Sequence, residues 1–161
     1  MVENGGVSTL EEQLRADLTA AIKARDETRT ASLRMAMAAL STERTAGKQA
    51  RVLTDDDVVT VLGREVKKRR EAAEAFAAAG RADAAERERA EEAVLVAYLP
   101  AALSDAELDT LVREAVEAAA AGGASGKGAM GAVMKALQPQ VKGRADGAEV
   151  ARRVREALGP A

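Results

Sequence analysis

Proline, which stops or kinks a helix from within, occurs only at positions 100, 139 and 160. The intervening sequence is rich in Ala, Leu, Glu, Arg and Lys, the residues that lose least on entering a helix. No stretch alternates β-branched and polar residues with period two, as a half-buried strand would. The chain is expected to be all-α. Its apolar residues are Ala, Val, Leu, Ile and Met, with one Phe (Phe76), one Tyr (Tyr98) and no Trp. Helices built this way approach closely, but each contact buries little area.

Residues 1–7 read as a disordered tail. Ser8-Thr9-Leu10-Glu11 is a capping-box sequence, after which Leu10, Leu14, Leu18, Ala21 and Ile22 mark a helix to about Arg25. A second helix is expected from about Thr28 to Ala46, with Leu33, Met37 and Leu40 on one face and a left-handed stop at Gly47. Thr54-Asp55-Asp56-Asp57 opens a third, carrying Val59, Leu62, Val66, Ala73 and Phe76 to Gly80. A fourth runs from about Ala82 to Leu99, before Pro100. Short links between four helices describe an antiparallel bundle over 8–100. A second capping box, Ser104-Asp105-Ala106-Glu107, starts a separate three-helix domain over 101–161. Its stripes are Leu108/Leu111/Val112/Ala115, then Met130/Val133/Leu137/Val141, bent or stopped near Pro139, then Val150/Val154/Leu158 behind Asp146. Residues 122–128, with four Gly, read as a flexible connector.

Several chemistries are excluded by composition. Without Cys there is no disulfide, thiolate nucleophile or thiolate metal site, and without His the commonest metal ligand and neutral-pH acid/base are gone. No metal or cofactor is expected. The N-terminus lacks the basic and apolar regions of a signal peptide, and no apolar run approaches the ~20 residues that span a bilayer. The expectation is a cytoplasmic monomer, away from membranes.

Three groups of residues invite a chemical role. Around Lys127 the glycines suggest a P-loop, but that loop needs Gly, four residues and Gly-Lys-Ser/Thr after a strand. Here Ala121 holds the first position and Gly128 follows Lys127, so a helix link is the better account. Next, Arg69 falls on the apolar stripe between Val66 and Ala73, as Glu88 and Glu91 do on the following helix. A hairpin turning at Gly80–Arg81 sets Arg69 beside Glu91. The three form a structural ion pair that fixes register, not a carboxylate pair for catalysis, because no nucleophile accompanies them. Last, residues 104–121 hold one basic and five acidic residues, whereas 122–161 hold seven basic and three acidic. Lys127, Lys135, Lys142 and Arg144 are expected around one end of the C-terminal domain, with Arg152, Arg153 and Arg155 on its last helix. Two accounts stand: a solvated basic face, or a binder of phosphate backbone. No aromatic residue lies nearby to stack on bases.

The segment Lys67-Lys68-Arg69-Arg70-Glu71-Ala72-Ala73-Glu74-Ala75-Phe76, with Ala79-Gly80-Arg81, Glu88-x-x-Glu91 and Tyr98-Leu99-Pro100, resembles the GatB/YqeY family. So does Met130-Gly131-x-x-Met134-Lys135-x-Leu137, followed by Val141-Lys142-Gly143-Arg144-Ala145-Asp146-Gly147. The resemblance runs from about Leu10 to Leu158. It implies a helical bundle followed by a module like the tail of the B subunit of tRNA-dependent amidotransferase, where the tail contacts tRNA and the chemistry sits elsewhere. The expected partner is tRNA, or tRNA-modifying or aminoacylation machinery, met through Lys127, Lys135, Lys142 and Arg144. The family description also carries carbon–nitrogen ligation with glutamine as amido donor. This chain shows no amidase Ser-Lys arrangement and no catalytic residues of its own, so the resemblance implies an accessory part in such an activity. A helical protein–protein adaptor is the remaining alternative.

Overall fold

The computed structural model describes residues 7–160, which form seven α-helices and, among the described residues, no strand. The tail expected over 1–7 lies, apart from exposed Val7, outside the described residues. Two compact units divide the chain, one ending at Leu99 and the other beginning at Pro100.

In the first unit, α1 (Thr9–Ala24), α2 (Glu27–Arg44), α3 (Asp55–Ala78) and α4 (Ala82–Val96) surround a core of Leu14, Leu33, Leu40, Val58, Leu62 and Leu95. Side chains satisfy the orphan amides of three helix starts. Ser8 accepts from the Glu11 amide, Asp26 from Arg29, and Thr54 and Asp57 form a complete capping box. The Glu11 carboxylate does not reach back to close the box expected at α1. It is buried and held by Arg44 and Arg15. The Leu10 amide is met instead by Asp55 of α3, at 3.0 Å.

α2 ends two residues early, and no left-handed stop forms at Gly47. The Arg51 amide bonds back to the Arg44 carbonyl, so the loop itself closes the helix end. At the end of α3, Gly80 adopts φ 73°, and the Arg81 amide reaches the Phe76 carbonyl at 2.8 Å. The hairpin that follows is fixed by charge pairs, Arg69 with Glu91 and Arg70 with Glu92.

The second unit contains α5 (Asp105–Ala121), α6 (Gly126–Val141) and α7 (Gly147–Leu158), each packed on the other two. Leu108, Val112, Val133, Leu137, Val150 and Val154 form its core. Ser104 and Glu107 form a full capping box at α5, and Asp146 accepts from the Ala148 amide at α7. Two expectations are corrected here. The connector is shorter than 122–128, because Gly126, Lys127 and Gly128 already belong to α6, drawn in by the burial of Ala129. α6 is also not stopped at Pro139 but continues to Val141. Proline so near the end deletes a single bond, the one the Lys135 carbonyl would accept, and Pro139 itself is exposed.

Candidate nucleic-acid interface

Among residues 100–161 eight acidic side chains balance eight basic ones, so the unit as a whole is no polycation. What matters is which cations have local partners. On α7 they do. Arg152 joins Glu149 and Glu156, and Arg153 joins Asp105 and Asp109 of α5 as well as Glu149. The Arg152 and Arg153 guanidinium groups hold the Glu149 carboxyl down to about 2. Arg153 thus pins α7 to α5, while Arg152 is engaged within α7 itself.

α6 differs. From Gly122 to Ala145 there are four cations, Lys127, Lys135, Lys142 and Arg144, and no acidic residue. Lys127 and Lys135 are exposed; Lys142 and Arg144 are half-buried. No salt bridge among the described residues engages the three lysines. They do not gather at one end of the unit, as the sequence suggested. α6 is 16 residues long, about 24 Å, with Lys127 in its first turn, Lys135 past its middle, and Lys142 and Arg144 just beyond its last. The cations are strung along a line. The outward face between them is small: Gly128, Gly131 and Ala132 are exposed, and a Cβ placed at either glycine would meet nothing within 4 Å.

Arg144 has a second task. Its Nε donates to the Ala101 carbonyl at 2.9 Å, and its own carbonyl accepts from the Leu103 amide. Arg144 also helps, after the dominant hydrogen bonds from Ser104, to hold the Glu107 carboxyl below the usual range. It is therefore a clamp for residues 101–103, with only part of its guanidinium turned to other uses.

In the first unit, Arg69 lies at the centre of a charged cluster, its side chain 9% exposed. Its Nε is 3.1 Å from Glu91 Oε2 and 3.9 Å from Glu88 Oε2, and Glu65 is 3.8 Å away on the same helix. Neither Arg69 Nε nor Glu88 Oε2 is aligned for a hydrogen bond. The guanidinium bonds instead to the Met35 sulfur. No group of three or more acidic residues among those described is placed to hold a metal ion. Arg69 thus joins α3 to α4 through Glu91, with Glu88 and Glu65 close by.

Two polar clusters are not legible in the sequence pattern. One is Glu11 with Arg44, signalled only by Glu11 standing one helical turn before Leu14 on the buried stripe. The other is Tyr98, whose hydroxyl donates to Asp17, which also faces Arg29. Burial first, and then the bond to Asp17, raises the Tyr98 pKa. Nothing short of the tertiary contact, 81 residues apart in sequence, would have shown it. No helix among the described residues is long and apolar enough to cross a membrane.

The sequence pattern of the family described as "Yqey-like protein" matches residues 11–158. A curated relative, "Altered inheritance of mitochondria protein 41, mitochondrial" from Pyrenophora tritici-repentis, is 30% identical over 152 residues, covering 91% of this chain and 80% of the relative.

Proposed function

The chain belongs to the YqeY-like family, and on that premise we propose a non-catalytic module that binds tRNA, or a partner that handles tRNA, through α6 and its flanks. The observation that carries this reading is the sorting of charge in the C-terminal unit: α7's Arg152 and Arg153 are consumed by acids, while residues 122–145 keep four cations and no acid. Lys127, Lys135 and Lys142 supply charge along one line, and Arg144 adds a partly engaged guanidinium at its end. The exposed Gly128 and Gly131 let a phosphate backbone come close to the helix. With no aromatic residue in the unit, the contact is made to backbone and shape rather than to splayed bases.

The reading includes a division of labour, with residues 8–100 as an antiparallel four-helix bundle and 101–161 as the binding domain. A cytoplasmic location goes with it; the curated relative is named as a mitochondrial protein. The second reading is an accessory part in a glutamine-dependent amidotransferase-like activity, tested by glutamine hydrolysis with and without candidate partners. The deciding experiment is filter binding of total tRNA at low and moderate salt. Phosphate binding weakens steeply as salt rises; salt-insensitive binding, or none, refutes the proposal and favours a protein–protein adaptor.

A further inference from the structure

Met35 lies on α2 at the edge of a groove shared with α3, among Ala38, Thr42, Val61, Arg64 and Glu65. It is 46% exposed, whereas Met37, Met130 and Met134 are only partly so. Its sulfur accepts a hydrogen bond from Arg69 Nη2 at 2.9 Å. A thioether is a weak acceptor, yet this is the hydrogen bond the structure gives to the buried guanidinium. The neighbouring carboxylates leave Arg69 Nε and Glu88 Oε2 unbonded. A buried guanidinium so poorly satisfied favours any change that places a stronger acceptor beside it.

We propose that Met35 is a site of reversible oxidation by hydrogen peroxide or an organic peroxide, with Arg69 as the group that receives the sulfoxide. A sulfur lone pair attacks one peroxide oxygen, so that the S–O bond forms as the O–O bond breaks. Sulfur loses two electrons and the peroxide gains them. With hydrogen peroxide, the displaced hydroxide takes the proton of the transferred oxygen and leaves as water. Exposure admits the oxidant to the sulfur lone pair that faces away from Arg69, and rotation about the flexible Met35 side-chain bonds then brings the new oxygen round to the guanidinium. The sulfoxide oxygen is a strong acceptor held at the Arg69 donors, making a charge-assisted hydrogen bond where the thioether made a weak one. Oxidation elsewhere in a packed protein loosens it; at Met35 it tightens the contact between α2 and α3.

The full-length protein is titrated with hydrogen peroxide, and each methionine is followed by peptide mass spectrometry. Met35 should oxidise roughly fivefold or more faster than Met37, Met130 and Met134, because susceptibility follows exposure. The Met35-oxidised protein should melt higher, by roughly 2–4 °C, the shift that a modest added interaction gives a chain of this size. Methionine sulfoxide reductases should reverse the shift. Met35→Gln, which offers a carbonyl to Arg69, should melt above Met35→Leu, which offers nothing. Oxidation of Met37, Met130 or Met134 ahead of Met35, a lower midpoint after oxidation, or Met35→Gln melting no higher than Met35→Leu would each overturn the proposal.

Discussion

Arg69 and Arg70 are adjacent in sequence and differ almost wholly in surroundings. Arg70 joins Glu92 with its side chain 59% exposed, whereas Arg69 is buried against Glu91, Glu88 and Glu65. Removing one member of a buried charge cluster strands the others and costs on the order of 3–5 kcal/mol; an exposed pair contributes under about 1. Arg69→Ala should therefore lower the urea midpoint well beyond Arg70→Ala, and equal midpoints would remove Arg69 from the structural role given to it. Arg25 makes the opposite case. It closes α1 at φ 57°, the only non-glycine residue at positive φ among those described. An L side chain in that region costs roughly 1 kcal/mol or more. Arg25→Gly should raise the urea midpoint, by the equivalent of roughly 0.5–1 kcal/mol once glycine's extra unfolded-state entropy is set against the gain.

At the scale of the element, α6 carries helix-weakening residues that its own packing does not require. Gly131 sits mid-helix with open space where a Cβ would go, and glycine there costs about 1 kcal/mol relative to alanine. Gly131→Ala should stabilise the protein by roughly that amount in urea, and any weakening of tRNA binding by this stabilised variant would mark the face as a contact surface. α7 depends instead on its ion pairs with itself and α5. Folded Glu149 stays ionised down to about 2, while in the unfolded chain it takes up a proton near 4.5. The unfolded state thus binds the proton first. The stability this group contributes is complete above about pH 4.5 and is lost as pH falls toward 2. Glu149→Gln should flatten the stability profile in that acid window and leave its slope near neutral pH unchanged. These elements also show what can be read in the sequence. The stripes of Leu14, Leu33, Leu62, Val112 and Val154 identify helices directly, since their periodicity is local. The start of α6 is hidden because glycines signal a connector locally, while burial of Ala129 is decided by α5 and α7. Likewise, counting charges groups Arg152 and Arg153 with Lys127 and Lys135. The partners of Arg152 lie one helical turn away on α7, whereas only the packing of α7 on α5 brings Asp105 and Asp109 to Arg153.

For the whole molecule, net charge is −2, so long-range attraction to a polyanion is weak and binding must come from a local concentration of cations. That makes the proposed interface separable from stability. Lys127, Lys135 and Lys142 belong to no ion pair among the described residues, so replacing all three with Gln, which keeps most of the side-chain stem of half-buried Lys142, should barely move the melting temperature. Arg144 is left in place because its removal would free residues 101–103 and confound the result. Every phosphate that is no longer neutralised should reduce the slope of log K against log salt by roughly 0.7–0.9, so the triple variant should flatten it by about 2 to 3. Discrimination among tRNA species should change little, because phosphate contacts position a ligand without reading its sequence. Arg152→Gln with Arg153→Gln is the counterpart: those side chains are already occupied by Glu149, Glu156, Asp105 and Asp109. That pair should lower the melting temperature and leave the salt slope nearly intact. Reversal of the two phenotypes, with the slope following the α7 arginines, would show that the line of cations on α6 is only a solvated face.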